Sequence, residues 1–188
     1  MSKHVNQVCS SANFHLWQLR KIRPYLTHDA CKCAVQSLVI SRIDYASGLL
    51  SGLSGGLLNK LQLVQNTAAR LISGIGIRSH ITPIISHLHW LKVQSRIRFR
   101  LYVHLFKILH GLAPNYLSEL IHLYVPDRRL RSASNGPLIR RQYGSKQVSR
   151  YNFAVTESSL WNELPVHIRS ASDIINFKKQ LKTNLFTQ

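Results

Sequence analysis

The carboxylates of this chain are too scattered to predict metal-dependent phosphoryl transfer. Two-metal catalysis needs clustered carboxylates that hold cations a few ångström apart. Seven acidic residues are spread singly along the chain, and no Asp-Asp pair exists. Neither a GxxxxGK[ST] phosphate loop nor a G-x-S-x-G nucleophile elbow is present. We therefore predict no catalytic residue and expect no enzymatic activity. The acids are Asp29, Asp44, Glu119, Asp127, Glu157, Glu163 and Asp173.

Cysteine and histidine give little indication of a metal site. Cys31 and Cys33 lie near His28, but a Cys-x-Cys pair on a helix projects its thiols about 200° apart. No second pair is available to complete a tetrahedral zinc site. We predict no metal and no cofactor, and we interpret the cysteines as small packing residues. The histidines at 80, 87 and 89 are interpreted as packing or solvent-facing.

Positive charge is the dominant chemical feature of the sequence. Lys and Arg number 25 against 7 acids, for a formal charge of +18 and a pI near 10.6. Clustered cationic groups bind phosphate and release counterions, so this balance favours a nucleic-acid partner. From charge alone, an anionic membrane surface, an acidic protein or an acidic remainder of a longer polypeptide are alternatives. The predicted phosphate contacts, for which a solvated face is the competing interpretation, are Arg70, Arg96, Arg100, Lys107, Arg128, Arg129, Arg131, Arg140, Arg141, Lys146, Arg150, Lys178, Lys179 and Lys182.

Helical periodicity as far as about Tyr124 predicts a mainly α fold. Thr27 is a predicted N-cap for a helix that runs towards Leu50. Thr82 is another, with Pro83 at the first helical position. Gly111 is expected to end a long central helix, and a short helix then follows from Pro114 through Leu123. The other predicted helices cover residues 11–22, 57–72, 82–88 and 93–110.

The helical sequence pattern ends near Tyr124, and we predict that the chain has three parts. Residues 1–124 form a multi-helix domain, 125–152 a basic connector that is irregular or a short β-hairpin, and 153–188 a C-terminal helical segment. In that last segment, Pro165 is expected to stop a helix over 154–164. Ser172 and Asp173 open a final helix to Phe186, with a seam at Ile174, Phe177, Leu181 and Leu185 and its lysines facing outward.

Targeting and compartment signals are few. Residues 1–30 lack the continuous apolar segment of a secretory signal, and no stretch is apolar enough to cross a membrane. The odd number of cysteines is typical of a reducing compartment. We expect an intracellular protein without a membrane partner.

Blocks along nearly the whole chain resemble, in order, the region that follows the palm in reverse transcriptases of LINE-type, non-LTR retrotransposons. The most distinctive are VQNTAARLI at 64–72, LHWL at 88–91 and LWNELP at 160–165. Thirteen blocks in register are far more specific than any one of them. The remaining blocks lie at 43–45, 58–62, 80–83, 106–107, 110–114, 116–117, 130–132, 177–178, 181–182 and 185–186.

The resemblance implies the non-catalytic, thumb-like C-terminal region of such an enzyme. Its role would be sequence-nonspecific binding of template RNA and primer DNA in target-primed reverse transcription. The family's endonuclease and its [Tyr/Phe]-Ala-Asp-Asp palm motif have no counterpart here, so Met1 is expected to begin a truncated copy or partial gene model. The palm and fingers of the parent enzyme are implied partners, and a nuclear location follows from a reaction at chromosomal DNA. A module that packs on the missing palm, and a relic without independent function, remain alternatives.

The motif residues of these blocks have structural as well as functional interpretations. Gln65 falls near an apolar helix face and could hydrogen-bond a neighbouring helix, whereas Asn66 and Arg70 face outward and could touch template or primer. Trp90 and Trp161 could stack on bases, but their leucine neighbours favour core anchors. The motif residues are Gln65, Asn66, Ala69, His89, Trp90, Leu91, Trp161, Asn162, Leu164, Pro165, Phe177, Leu181 and Phe186.

Overall fold

The described part of the chain is helical, which confirms the predicted mainly α fold. The computed structural model describes residues 1–45, 47–119, 121 and 160–187, and no β-strand occurs among them. The predicted connector at 125–152 lies outside the described residues. Seven predicted phosphate contacts also lie outside the described residues: Arg128, Arg129, Arg131, Arg140, Arg141, Lys146 and Arg150.

The chain divides into two compact units, Met1–Ile97 and Arg98–Gln188. The division predicted near residue 124 stays a prediction, because residues 122–159 are not described. In chain order the α-helices are α1 (Ser2–Ile22), α2 (His28–Val35), α3 (Ser41–Asp44), α4 (Gly55–Ser73), α5 (Thr82–His87), α6 (Val93–Leu109), α7 (Asn115–Ser118), α8 (Val166–Arg169) and α9 (Ile174–Thr187). Residues 160–163 are also helical, and 3₁₀ turns lie at Arg23–Tyr25 and Ser47–Leu50.

Helix α1 starts nine residues earlier than the predicted start at Ser11. Val5 is completely buried and continues the seam of Ala12, Leu16 and Leu19, which packs against α4. The first ten residues are mostly polar. A single deeply buried valine among them gives too weak a helical periodicity to predict this part of α1 from sequence.

The predicted cap at Thr27 is confirmed, because its Oγ1 accepts a hydrogen bond of 3.2 Å from the Ala30 amide. A π-helical turn at Gln36–Ile40 carries α2 into α3, which ends at Asp44 rather than towards Leu50. Cys31 is buried and Cys33 exposed, as their predicted opposite projections require. Burial raises the pKa of the Cys31 thiol, more than the positive charge of Arg23 lowers it.

Helix α4 has a left-handed glycine and an arginine at its C-terminal end. Gly74 adopts φ 67°, and the Ile75 amide donates to the Arg70 carbonyl. Arg23, just after α1, donates from Nε to the Leu71 carbonyl and from Nη2 to the Ile72 carbonyl, both at 2.9 Å. A cation on the last carbonyls of a helix satisfies unpaired acceptors and opposes the helix dipole. Arg23 therefore ties α1 to the end of α4.

The predicted N-cap of α5 is wrong. Thr82 lies inside the helix, Ile81 occupies the N-cap position, and no side chain caps the start. Pro83 still falls in the first turn, where its missing amide hydrogen costs nothing. The predicted end of α6 is confirmed, since Gly111 takes φ 67° and the Leu112 amide donates to the Lys107 carbonyl at 2.7 Å.

Aromatic stacking forms the core of the second unit. The rings of Phe106 on α6 and Phe177 on α9 lie 4.4 Å apart between centroids, and Trp161 follows at 5.9 Å from Phe177. All three side chains are at most 1% exposed. Asp173 caps α9, because its Oδ1 accepts hydrogen bonds from the amides of Ile175 and Asn176. Three of the four residues of the predicted α9 seam, Phe177, Leu181 and Leu185, are buried.

Replacing Phe177 by alanine should lower the free energy of unfolding by about 3–5 kcal/mol, because it leaves a cavity between two aromatic neighbours. Chemical denaturation followed by tryptophan fluorescence measures the change. Phe186→Ala, on the same helix but 39% exposed, is the matched control and should cost far less. Equal losses in the two variants would contradict this core.

Candidate nucleic-acid interface

A buried amide network joins the VQNTAARLI block of α4 to the LHWL block. Gln65 is 1% exposed, and its Nε2 donates to the Leu91 carbonyl at 2.8 Å. Gln62 donates from Nε2 to the Gln65 Oε1 at 3.0 Å and to the Asn66 Oδ1 at 2.8 Å. The Gln62 Oε1 accepts from the Val93 amide at 2.8 Å. This last bond satisfies one of the unpaired amides at the start of α6.

The LHWL block is the C-terminal stop of α5. His89 adopts φ 53°, its amide donates to the Ser86 carbonyl, and the Trp90 amide donates to the Ile85 carbonyl at 3.0 Å. This is the Schellman arrangement, with histidine at the left-handed position that glycine usually takes. Trp90 and Leu91 are buried and His89 is exposed. Burial favours the predicted role of Trp90 as a core anchor and removes it as a base-stacking surface.

The LWNELP block, like the LHWL block, contributes buried side chains and a helix stop. Trp161 is fully buried and Leu164 nearly so, as their leucine neighbours predicted. Pro165 stops the preceding helix and also stands at the N-cap of α8, a helix that the sequence pattern did not predict. Arg169 on α8 is buried and donates from Nε to the Leu164 carbonyl at 3.0 Å. Burial lowers the pKa of this arginine.

Arg96 is engaged by a carboxylate in the first unit. Its Nε and Nη2 donate to the two Asp44 oxygens at 2.5 and 2.7 Å, a bidentate pair with 20% and 11% of the side chains exposed. Any phosphate contact by Arg96 would compete with this pair. Arg70 donates from Nη2 to the Ser79 carbonyl at 3.4 Å, and its buried Nε has no partner among the described residues. Asn66, predicted to face outward, is half-buried in the amide network, and Ala69 is fully buried.

A cationic stripe follows one side of α6 in the second unit. Arg100 and Lys107 lie one turn before and after His104, an exposed residue that sequence analysis did not include. Partial burial of the ring, then the positive charges of Lys107 and Arg100, lower the pKa of His104. Like charges are therefore gathered along this side of α6, which is an electrostatic condition that favours binding of an anion.

The lysine face of α9, formed by Lys178, Lys179 and Lys182, points outward as predicted. Helix α9 contains no acidic residue, and within the described ranges Lys178 and Lys179 make no ion pair. Lys182 lies with its Nζ 5.8 Å from the centre of the Phe186 ring. Three exposed ammonium groups on one rigid helix provide a surface for phosphate groups.

An open cleft of about 420 Å³, lined by residues with polar side chains, adjoins the lysine face. Lys179 lines it together with amide, hydroxyl and imidazole groups, and the Gln180 Oε1 is a buried acceptor with no partner in the described part of the chain. The Lys179 ammonium can donate to phosphate oxygens, and the Gln180 Oε1 can accept from sugar hydroxyls. The other lining residues are His167, Asn176, Thr183, Asn184 and Thr187.

Several residues of structural or electrostatic importance were missed by the sequence analysis. Arg23 was counted only as charge, and no local signal reveals that it reaches α4. Gln62 falls in a quoted block but was given no role, although three-residue spacing from Gln65 could have suggested the pair. His104 could have been found from its i, i+4 and i+3 spacing to Arg100 and Lys107.

Comparisons with protein-family models, with curated proteins and with solved structures find no match to this chain. Among the residues described, no group of three or more His, Cys, Asp or Glu side chains could hold a metal ion. None of the helices in that part of the chain is long and apolar enough to span a membrane.

Substituting Gln65→Leu should lower the free energy of unfolding by about 1–3 kcal/mol, because it leaves the buried Leu91 carbonyl without its donor. Urea denaturation followed by circular dichroism gives the value. Gln7→Leu, at an exposed position on α1, is the control and should change stability by no more than about 0.5 kcal/mol. Similar small changes in both variants would show that the amide network does not stabilise the fold.

A double-mutant cycle with Asp44→Ala and Arg96→Ala should give a coupling energy of about 1–3 kcal/mol, since the pair is bidentate and largely shielded from water. Equilibrium unfolding of the two single variants and the double variant measures it. The exposed pair His28 and Asp29, 3.6 Å apart, provides a control cycle in which no coupling is expected. Additive losses at Asp44 and Arg96 would refute the interaction.

Proposed function

We propose that this chain binds RNA and DNA through their phosphates without sequence preference, as the non-catalytic C-terminal part of a non-LTR retrotransposon reverse transcriptase. The observation that carries the proposal is the lysine face of α9. It presents three exposed cations on a helix that contains no acidic residue. A solvated surface helix normally mixes both signs of charge, whereas this one complements a polyanion.

Arg100 and Lys107, on either side of His104 on α6, supply a second set of cations in the same unit. The positive charges of Lys107 and Arg100 both contribute to the lowered pKa of His104, so a phosphate bound beside the ring would meet a positive potential. Neither set includes a side-chain array that reads base edges in a groove, so affinity would come from backbone contacts and released counterions. Binding of this type is strongly salt-dependent.

The place of the chain in a larger reaction comes from the sequence resemblance alone. Within the proposal it supports target-primed reverse transcription in the nucleus, beside the palm and fingers of its parent enzyme, and contributes no catalytic group. The amide network and the LHWL stop then serve to hold the helices of a thumb-like unit in place. The cations of α6 and α9, in the second unit, hold template and primer.

A second candidate function is packing against the palm of the parent enzyme. Large apolar side chains protrude in both units, among them Ile77 at 87% and Ile175 at 78% exposure. A palm surface packed on them would remove this apolar area from water. Aggregation of the isolated chain that is relieved by added palm domain would favour this candidate.

Neutralising the lysine face with Lys178→Gln, Lys179→Gln and Lys182→Gln should weaken binding and its salt dependence. Fluorescence anisotropy of the full chain with a labelled single-stranded RNA, titrated across salt, measures both. Because three phosphate-binding cations are removed, the slope of log Kobs against log salt should become shallower by about 2. The charge-matched control replaces Lys3, Lys32 and Lys92 with glutamine and should keep most of the wild-type slope.

Two outcomes would contradict the proposal at different levels. A folded wild-type chain that shows no salt-dependent binding would remove the nucleic-acid function and leave palm packing as the better candidate. Equal weakening in the two triple variants would show that binding depends on total charge and not on α9.

A further inference from the structure

Two large aromatic side chains lie exposed on α1, on the side away from the core of the first unit. Phe14 and Trp17 are 53% and 54% exposed. Their rings are stacked, with centroids 6.3 Å apart and 29° between planes. Phe14 lies two positions from the seam residues Ala12 and Leu16, a rotation of about 200° around the helix. Trp17 lies two positions from Leu19 and one from Leu16, towards the edge of the exposed side. The pair therefore contributes little to packing within its own unit.

A lysine contacts one ring of this aromatic pair, and an arginine contacts the histidine that packs on the other. The Lys21 Nζ lies 3.5 Å from the centre of the Trp17 ring. His15 meets Phe14 edge to face at 5.5 Å, and its Nε2 lies 2.8 Å from the Arg42 Nη2. Helix α1 has no acidic residue along its 21 positions. The surface thus combines rings with positive charge, and the helix that carries it has no carboxylate to repel an anion.

Polar side chains, Ser10, Asn13 and Gln18, flank the two rings. A further large apolar side chain on α1, Ile22 at 47% exposure, lies five residues beyond Trp17 at the end of the helix, so the rings do not belong to a continuous apolar stripe. A helix that enters a membrane surface, or that seats in a hydrophobic protein groove, presents a continuous apolar stripe. Isolated rings set among amides, hydroxyls and cations are typical of surfaces that bind unpaired bases.

We propose that the Phe14–Trp17 face of α1 is a stacking platform for unpaired bases of single-stranded nucleic acid. A base stacks on the exposed aromatic pair, and Lys21, displaced from the Trp17 ring, reaches the adjoining phosphate. Because every base has a flat face, the platform tolerates any sequence. This inference rests on the proposed function and adds a preference for single strands that lysine contacts alone do not supply.

The double variant Phe14→Leu, Trp17→Leu keeps apolar bulk on α1 and removes the rings. Affinity of the full chain for a labelled oligouridylate of about 12 nucleotides should fall roughly tenfold or more, because base-aromatic stacking is removed. Affinity for an RNA duplex of the same length should stay within about twofold, since its bases are already stacked. Tyr116→Leu, another exposed aromatic, is the control and should leave both affinities unchanged.

Tryptophan fluorescence provides a direct readout of the contact. Trp90 and Trp161 are buried, so quenching by oligouridylate should come from Trp17 and disappear in Trp17→Leu. Circular dichroism should show unchanged folding in all these variants, because the replaced side chains are exposed.

The outcomes separate this inference from the proposed function. Wild-type binding to neither RNA would remove the proposed function and the platform with it. Binding to both RNAs that is unaffected in the double variant would overturn the platform and leave the proposed function standing. Loss of self-association or of binding to anionic phospholipid vesicles in the double variant, with RNA binding intact, would reassign the face to a protein or lipid contact and also overturn it.

Discussion

The arrangement of the first unit depends on a buried hydrogen bond between Gln65 and the Leu91 carbonyl. A polar side chain this deeply buried is costly unless its groups are paired, and Gln62 completes the pairing while it satisfies the Val93 amide. One network thus fixes α4 against the stop of α5 and positions the first turn of α6. The free energy lost by leaving any of these groups unpaired makes competing arrangements unfavourable.

The same contacts change how the conspicuous motifs are understood. VQNTAARLI, LHWL and LWNELP attract attention because they contain glutamine, tryptophan and histidine, the residue types that also contact nucleic acid. In the structure they contribute a buried amide, two core tryptophans and a histidine at a left-handed helix stop. Binding is proposed instead for residues in less distinctive sequence, which are the lysine face of α9 and the aromatic face of α1. These three blocks position helices, and the surface cations proposed to bind phosphate lie outside them.

Helices with a clear seam could be predicted from sequence, and contacts between distant segments could not. The α9 seam, the Thr27 cap and the Gly111 stop follow local rules of periodicity and backbone conformation, and each was found. The start of α1, the ion pair of Asp44 with Arg96, and the reach of Arg23 to α4 depend on which helices pack together. The exposure of a side chain is equally hard to predict from sequence. Trp17 and Trp161 each follow a leucine, yet Trp17 is exposed and Trp161 is buried, because helix packing covers only one of them.

The central claim is that exposed cations on α9 contact phosphate. Lysine acetylation with and without single-stranded RNA, analysed by mass spectrometry on the full chain, tests it most directly. The account predicts that RNA protects Lys178, Lys179 and Lys182 from acetylation, while Lys3, Lys32 and Lys92 react at nearly the same rate in both samples. Unchanged reactivity of the three α9 lysines under saturating RNA would contradict it.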